Sequence, residues 1–180
     1  MEYPWYETTS DSSVLQGEFF EQCPVFKPPL GLNAEELRSL KSPTPVPTDS
    51  FDAVVISQSC DIEARKIRSV LLCPHDSWEE FAKSEPGTRP ETLWNSLTKG
   101  YYVGVHLLQK CEIAGFERGY RVVDFRLVFT LPLEYVESLA SHGAPRLRLC
   151  PPYREHLAQA FARFLMRVGL PVGIPSFGKR

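Results

Sequence analysis

The clearest pattern in the chain is the alternation from Tyr120 to Leu131. Val123, Phe125, Leu127, Phe129 and Leu131 fall on one side, and Asp124, Arg126 and Thr130 on the other. A period of two residues belongs to a strand with one buried face, so a strand is predicted over 120–131. Two other runs lack a polar side. Ala53-Val54-Val55-Ile56-Ser57-Gln58 and Ser69-Val70-Leu71-Leu72-Cys73, the latter stopped by Pro74, read as central strands buried on both faces and paired with each other. Val14 to Phe20 reads as a strand interrupted by Gly17, a bulge or a close backbone approach. Tyr101 to Lys110 joins the 120–131 strand through a turn holding Gly115 and Gly119, and Arg146-Leu147-Arg148-Leu149 alternates as a short strand.

Helical periods appear elsewhere. Tyr153, Leu157, Ala160, Phe161, Phe164, Leu165 and Val168 recur at helical spacing after Pro151-Pro152, and Gly169 with Pro171 ends the run. Such a stripe predicts an amphipathic helix docked on a sheet. Asn33 caps a helix over 34–41, Ser77 caps one to about Lys83, Pro90 opens one to Thr98, and Gly143 closes one that begins at Leu133. Between them, Ser42 to Thr48 is a proline-rich extended connector.

These elements predict an α+β domain over 14–180, preceded by a flexible lead-in over 1–13. Its core is a small, strongly twisted antiparallel β-barrel or sheet, with helical insertions and the C-terminal helix packed outside. A length of 180 residues and a hydrophobic fraction of 43% suit one globular domain and exclude disorder of the whole chain. No apolar run approaches the ~20 residues that cross a bilayer. The opening Met1 to Glu7 is acidic and aromatic, without the basic start and apolar stretch of a secretory signal. A cytoplasmic protein with no membrane contact is expected, with room for a homodimer.

The net charge of −2 is unevenly placed. From Glu2 to Glu36 seven acids face Lys27 alone, and from Ala144 to Arg180 seven bases face Glu155 alone. Either the basic end is a surface for nucleic acid or an acidic partner, or the two ends of the chain lie against each other. The five cysteines are scattered and never form a C-x-x-C pair, so free thiols are expected, with neither a disulfide framework nor a zinc site. The four histidines show no ligand spacing, and glycine-rich phosphate loops, G-x-S-x-G and H-E-x-x-H are missing from the sequence. No metal or cofactor is expected.

Candidate chemistry gathers where the first central strand ends, at Gln58-Ser59-Cys60-Asp61. Cys60 can serve as a nucleophile if a base lowers its thiol pKa, with His75 at the end of the neighbouring strand as that base and Asp61 orienting it. The alternative packs Cys60 as a small core thiol while Asp61 caps a turn. Gln58, Arg65 and Lys66 are binding candidates beside this loop. His156, Gln159, Arg163 and Arg167 follow at spacings of three or four along the last helix and make a candidate phosphate-binding face with Arg146, Arg148 and Arg154. A solvated face, with arginines paired to the acidic N-terminal region, is the other reading.

Gly17-Glu18-Phe19, then Val54-Val55-Ile56-Ser57, then Val70-Leu71-Leu72-Cys73-Pro74 resemble in order the strands of the PemK/MazF family of toxin-like small barrels. The resemblance covers about the first 75 residues. It implies a barrel and, through the family, RNA cleavage in which the RNA supplies its own 2′-hydroxyl nucleophile. Asp52-Ala53 stands where that family has Arg-Pro, and His75 stands near its Thr, which leaves Arg65, Lys66 and His75 for such roles. The expected function is a non-catalytic protein- or RNA-binding module of bacterial toxin or phage-defence type. A MazF-like endoribonuclease and a cysteine hydrolase acting through Cys60 are the alternatives.

Overall fold

The computed structural model describes residues 3–26, 34–39, 48–143 and 145–166. In chain order its strands are β1 (Tyr6–Thr9), β2 (Phe19–Phe26), β3 (Thr48–Val55), β4 (Ser69–Ser77), β5 (Val105–Leu108), β6 (Arg121–Asp124), β7 (Phe129–Pro132) and β8 (Arg146–Leu149). Its helices are α1 (Ala34–Ser39), α2 (Ser59–Glu63), α3 (Trp78–Ser84), α4 (Pro90–Thr98), α5 (Leu133–His142) and α6 (Tyr153–Leu165). The α+β class holds, and every strand pairing among the described residues is antiparallel.

The central pair is the one the apolar runs predicted. β3 and β4 are neighbours, with Val54 opposite Cys73. The sheet order is β2-β3-β4-β6-β5, with β7 also on β4, and β2 and β5 do not pair. The sheet is therefore open, and of the two alternatives the barrel is not formed. β1 and β8 make a separate two-stranded ribbon, so the segment read as a lead-in supplies a strand.

The 120–131 strand is divided. Val123 lies opposite His75 and Phe129 opposite Leu72, so six positions on one strand span three on the other. The excess is taken up by the 3-10 turn Phe125–Leu127. Phe125 is fully buried there, while Leu127 is 56% exposed, which corrects its predicted place on the core face. The turn also explains why Pro74 does not end β4. Leu71 directs its backbone groups at β3, since its N–H donates to Ser57 Oγ and its carbonyl accepts from Ile56 N–H. By alternation Leu72 and Pro74 face the other edge, and Pro74 falls in the gap between β7 and β6, where no ladder donor is needed.

Alternate residues of the central strands enter opposite cores. Val54, Cys73 and Val123 pack with Phe125 beneath the β1–β8 ribbon and Leu157 of α6. Ala53, Val55 and Leu72 pack on the other face with Ile62 of α2 and Val136 of α5. A third cluster joins Phe81 of α3 and Leu93 of α4 to Val105 and Val122. Ser77 caps α3 by accepting from the N–H of Glu80 at 3.1 Å, and Pro90 opens α4, both as predicted.

Gly17 is a close approach rather than a strand residue, and β2 begins only at Phe19. Its φ is +82°, and a Cβ there would stand 3.1 Å from Leu149 Cβ. On α6, Leu157 is fully buried, Phe161 and Phe164 are half-buried, and Leu165 is 59% exposed, so the docked stripe is narrower than its periodicity predicted. Asn33, most of the connector, Arg167, Val168, Gly169 and Pro171 lie outside the described residues.

Candidate functional site

The segment Gln58 to Asp61 forms the start of α2, with Gln58 at its N-cap position. Its neighbours are fastened to the sheet: Ser57 Oγ accepts from Leu71 N–H at 2.8 Å, and Ser59 Oγ accepts from Gln16 N–H at 3.1 Å. Cys60 is exposed, which corrects the reading of a packed core thiol. Its Sγ lies 3.9 Å from Asp61 Oδ1, and Asp61 pairs with Lys66 at 3.5 Å.

His75 is not beside Cys60. β3 and β4 are antiparallel, so the end of β3 at Val55 meets Leu72, and His75 stands about 10 Å further along β4 at the strand rise of ~3.3 Å per residue. There its ring is 2% exposed and packs edge-on against Phe19. Nδ1 accepts from Arg121 Nε at 2.9 Å, which places the proton on Nε2. Burial, then the Arg121 and Arg118 guanidiniums, hold its pKa well below the usual histidine range. Asp52 completes this cluster, pairing with Arg121 at 3.2 Å and accepting from Gln22 N–H. The cysteine–histidine constellation is not assembled. Arg65 pairs with Glu137 at 2.9 Å and Lys66 with Asp61, so neither belongs to the His75 cluster.

Among the described residues of the basic end, Arg146, Arg148 and Arg154 are held in internal ion pairs. Glu18, with no exposed side-chain surface, accepts from Arg146 Nε at 2.6 Å and from Arg148 at 3.0 and 2.6 Å. Arg148 also meets Glu7, and Arg154 pairs with Glu155. The acidic segment from Glu7 to Glu18 does lie against β8. On α6, His156 and Arg163 remain exposed. Both stand near His106 of β5, whose pKa is pushed down to about 4 by burial and then by those two groups.

A large concavity has no counterpart in the sequence reading. A cleft of about 1020 Å³ opens between the first turns of α3 and α4 and the 110–120 segment. Its aromatic walls are Trp78, Trp94 and Tyr120. Trp94 meets Trp78 at 5.0 Å and 75°, and meets Tyr120 at 4.8 Å and 77°, so the rings stand as near-perpendicular panels. Lys110 Nζ lies 5.0 Å from the centroid of the Tyr120 ring. The backbone N–H of Trp78 donates to the Tyr120 carbonyl at 2.9 Å and fixes the two segments. A second cleft of about 740 Å³, walled by Tyr3, Trp5 and Tyr6, shares Lys110, Glu112 and Tyr120 with the first. Trp5 is held by stacking on Tyr153 of α6 at 3.6 Å.

The sequence carried one signal for this site. Trp78 and Trp94 are large rings in the polar company of Ser77-Trp78-Glu79-Glu80 and Trp94-Asn95-Ser96, not in apolar runs. What brings them to Tyr120 is the pairing of β4 with β6, which no local pattern shows. Comparison with known proteins finds no family model that matches this chain, and no curated protein or solved structure that matches it.

Proposed function

We propose that the chain is a non-catalytic binding module whose recognition surface is the aromatic groove from Trp94 past Tyr120 to Trp5. The supporting observation is the continuity of the two clefts through Lys110, Glu112 and Tyr120. Their joint size exceeds the roughly 300–1,000 Å³ of a small-molecule site and suits an extended segment of a partner protein. RNA is the poorer occupant. Phosphate recognition rests on several unpaired cations, whereas of the two cations lining the first cleft Arg118 is engaged by Glu21 at 2.8 Å and Lys110 sits over the Tyr120 ring, and four glutamates line the same cleft. A toxin or phage-defence setting is supported by the PemK/MazF resemblance alone, and Arg65, Lys66 and His75 do not converge as RNA cleavage requires.

An array of random octapeptides tests the reading. The wild-type chain should retain a defined subset, and both Trp94→Ala and the surface variant Asn95→Arg, which fills the cleft, should lose it, with Asn95→Arg keeping the melting temperature and Trp94→Ala still unfolding cooperatively. Retention of the same subset by both variants would refute the groove.

A further inference from the structure

We infer that the box formed by Trp78, Trp94 and Tyr120 reads a basic side chain, the ammonium of lysine or the guanidinium of arginine, on the partner segment. The inference rests on the groove reading above and names what the groove selects.

Two independent features of the cleft point to a cation. The first is ring geometry. Trp78, Trp94 and Tyr120 line one cleft in edge-to-face contact, and the negative face of an aromatic ring attracts a cation placed within about 6 Å of its centroid. The chain's own Lys110 already occupies such a position over Tyr120, at 5.0 Å, so this face accepts an ammonium in the folded protein.

The second feature is charge. Glu79, Glu91, Glu112 and Glu117 line the cleft against Lys110 and Arg118. Arg118 is neutralised by Glu21, and Glu117 is partly occupied in accepting from Gly115 N–H at 2.9 Å. Glu79 and Glu91 lie exposed in the first turns of α3 and α4, in the same lining as Trp78 and Trp94. A basic side chain entering that corner meets two carboxylates that form no ion pair within 4 Å among the described residues, whereas a carboxylate or phosphate meets them as like charges. Norleucine, with the same stem as lysine and no charge, would gain the apolar contact alone.

The experiment uses the octapeptides that the wild-type chain retains. The bound subset should be enriched in Lys or Arg at one position. In solution, binding is followed by the NMR signals of the Trp78 and Trp94 indole N–H groups. Replacing that Lys or Arg by norleucine should weaken binding about 10-fold, the sum of a cation–π contact and screened attraction to the rim. Glu79→Gln with Glu91→Gln, both on exposed positions, should weaken the basic peptide several-fold and leave the norleucine peptide unchanged. A subset that is lost in Trp94→Ala but shows no basic enrichment, or equal binding of the norleucine peptide, would overturn the inference and leave the groove standing. Preferential shifts with single-stranded oligouridylate would also overturn it. An array on which nothing binds would overturn the groove and the inference together.

Discussion

Glu18 offers the sharpest test of how this fold is held. Its carboxylate has no exposed side-chain surface, and the two arginines that it bridges are only 8% and 12% exposed. Glu18→Gln keeps the shape but leaves two buried guanidiniums facing an amide. Breaking a buried ion pair by removing one partner costs about 3–5 kcal/mol, because an uncompensated charge stays inside. Here the value should lie near 3 kcal/mol. Arg146 retains the carbonyls of Asp11 and Ser13 at 2.7 and 2.9 Å, and Arg148 retains Glu7 at 3.3 Å. Urea unfolding reads this directly, since a slope of about 1–3 kcal/mol per molar converts such a loss into a midpoint shift of about 1–3 M. The triple variant Glu18→Leu, Arg146→Met, Arg148→Leu should recover most of the loss, because it removes the charges together. A midpoint that moves by less than about 0.3 M in Glu18→Gln would show that water reaches these groups and that the network does not stabilise by burial.

Leu157→Ala, at a fully buried position on α6, should cost about 2–5 kcal/mol, and half-buried Phe161→Ala should cost less; the reverse order in denaturant unfolding would mean that α6 docks differently. A thiol reagent at pH 8 should modify Cys60 first in the folded protein. Cys23, pushed up to about 11, and Cys73, pushed up to about 12, both chiefly by burial, should react only on unfolding, and rapid loss of two or more thiols would contradict their placement. Acid should destabilise the fold through its histidines. His106 titrates near 4 when folded and near 6.5 when unfolded, so the unfolded chain binds more protons between those values and stability falls as pH drops through that window. The loss approaches about 3 kcal/mol, with buried His75 acting in the same direction, and a urea midpoint unchanged from pH 7 to 4.5 would refute it.

Local physics made much of the fold legible. Ser77 and Pro90 act within one helical turn, and the two β-branched runs have no polar face to show to water, so their elements follow from the residues alone. The 3-10 turn at Phe125–Leu127 has no such signature, since an alternating run reads the same with or without three residues looped out. Leu127 was misplaced for that reason. Adjacent strand ends would bring Cys60 and His75 together, and only the antiparallel direction of β3 and β4 separates them. The aromatic cleft was hidden for a related reason. Trp78, Trp94 and Tyr120 belong to three segments, and their meeting is a product of strand pairing rather than of any spacing along the chain.

The ribbon and its buried carboxylate also bear on how the protein is made. Glu18 and Arg146 are 128 positions apart, and β1 finds its partner only in β8. Closing a flexible loop of that length costs about 4 kcal/mol beyond a constant, and contacts so distant in sequence slow folding. Synthesis delivers the amino end first, so Glu18 and the strand after it wait on the ribosome for nearly the whole described chain before a counter-charge arrives. Until Arg146 emerges, burying that carboxylate is unfavourable and the first core cannot close over Phe19 and Tyr6. The nascent domain thus completes its fold only after β8 has been synthesised, and truncation before that strand removes more than one edge: it removes the charge that lets the other end be buried.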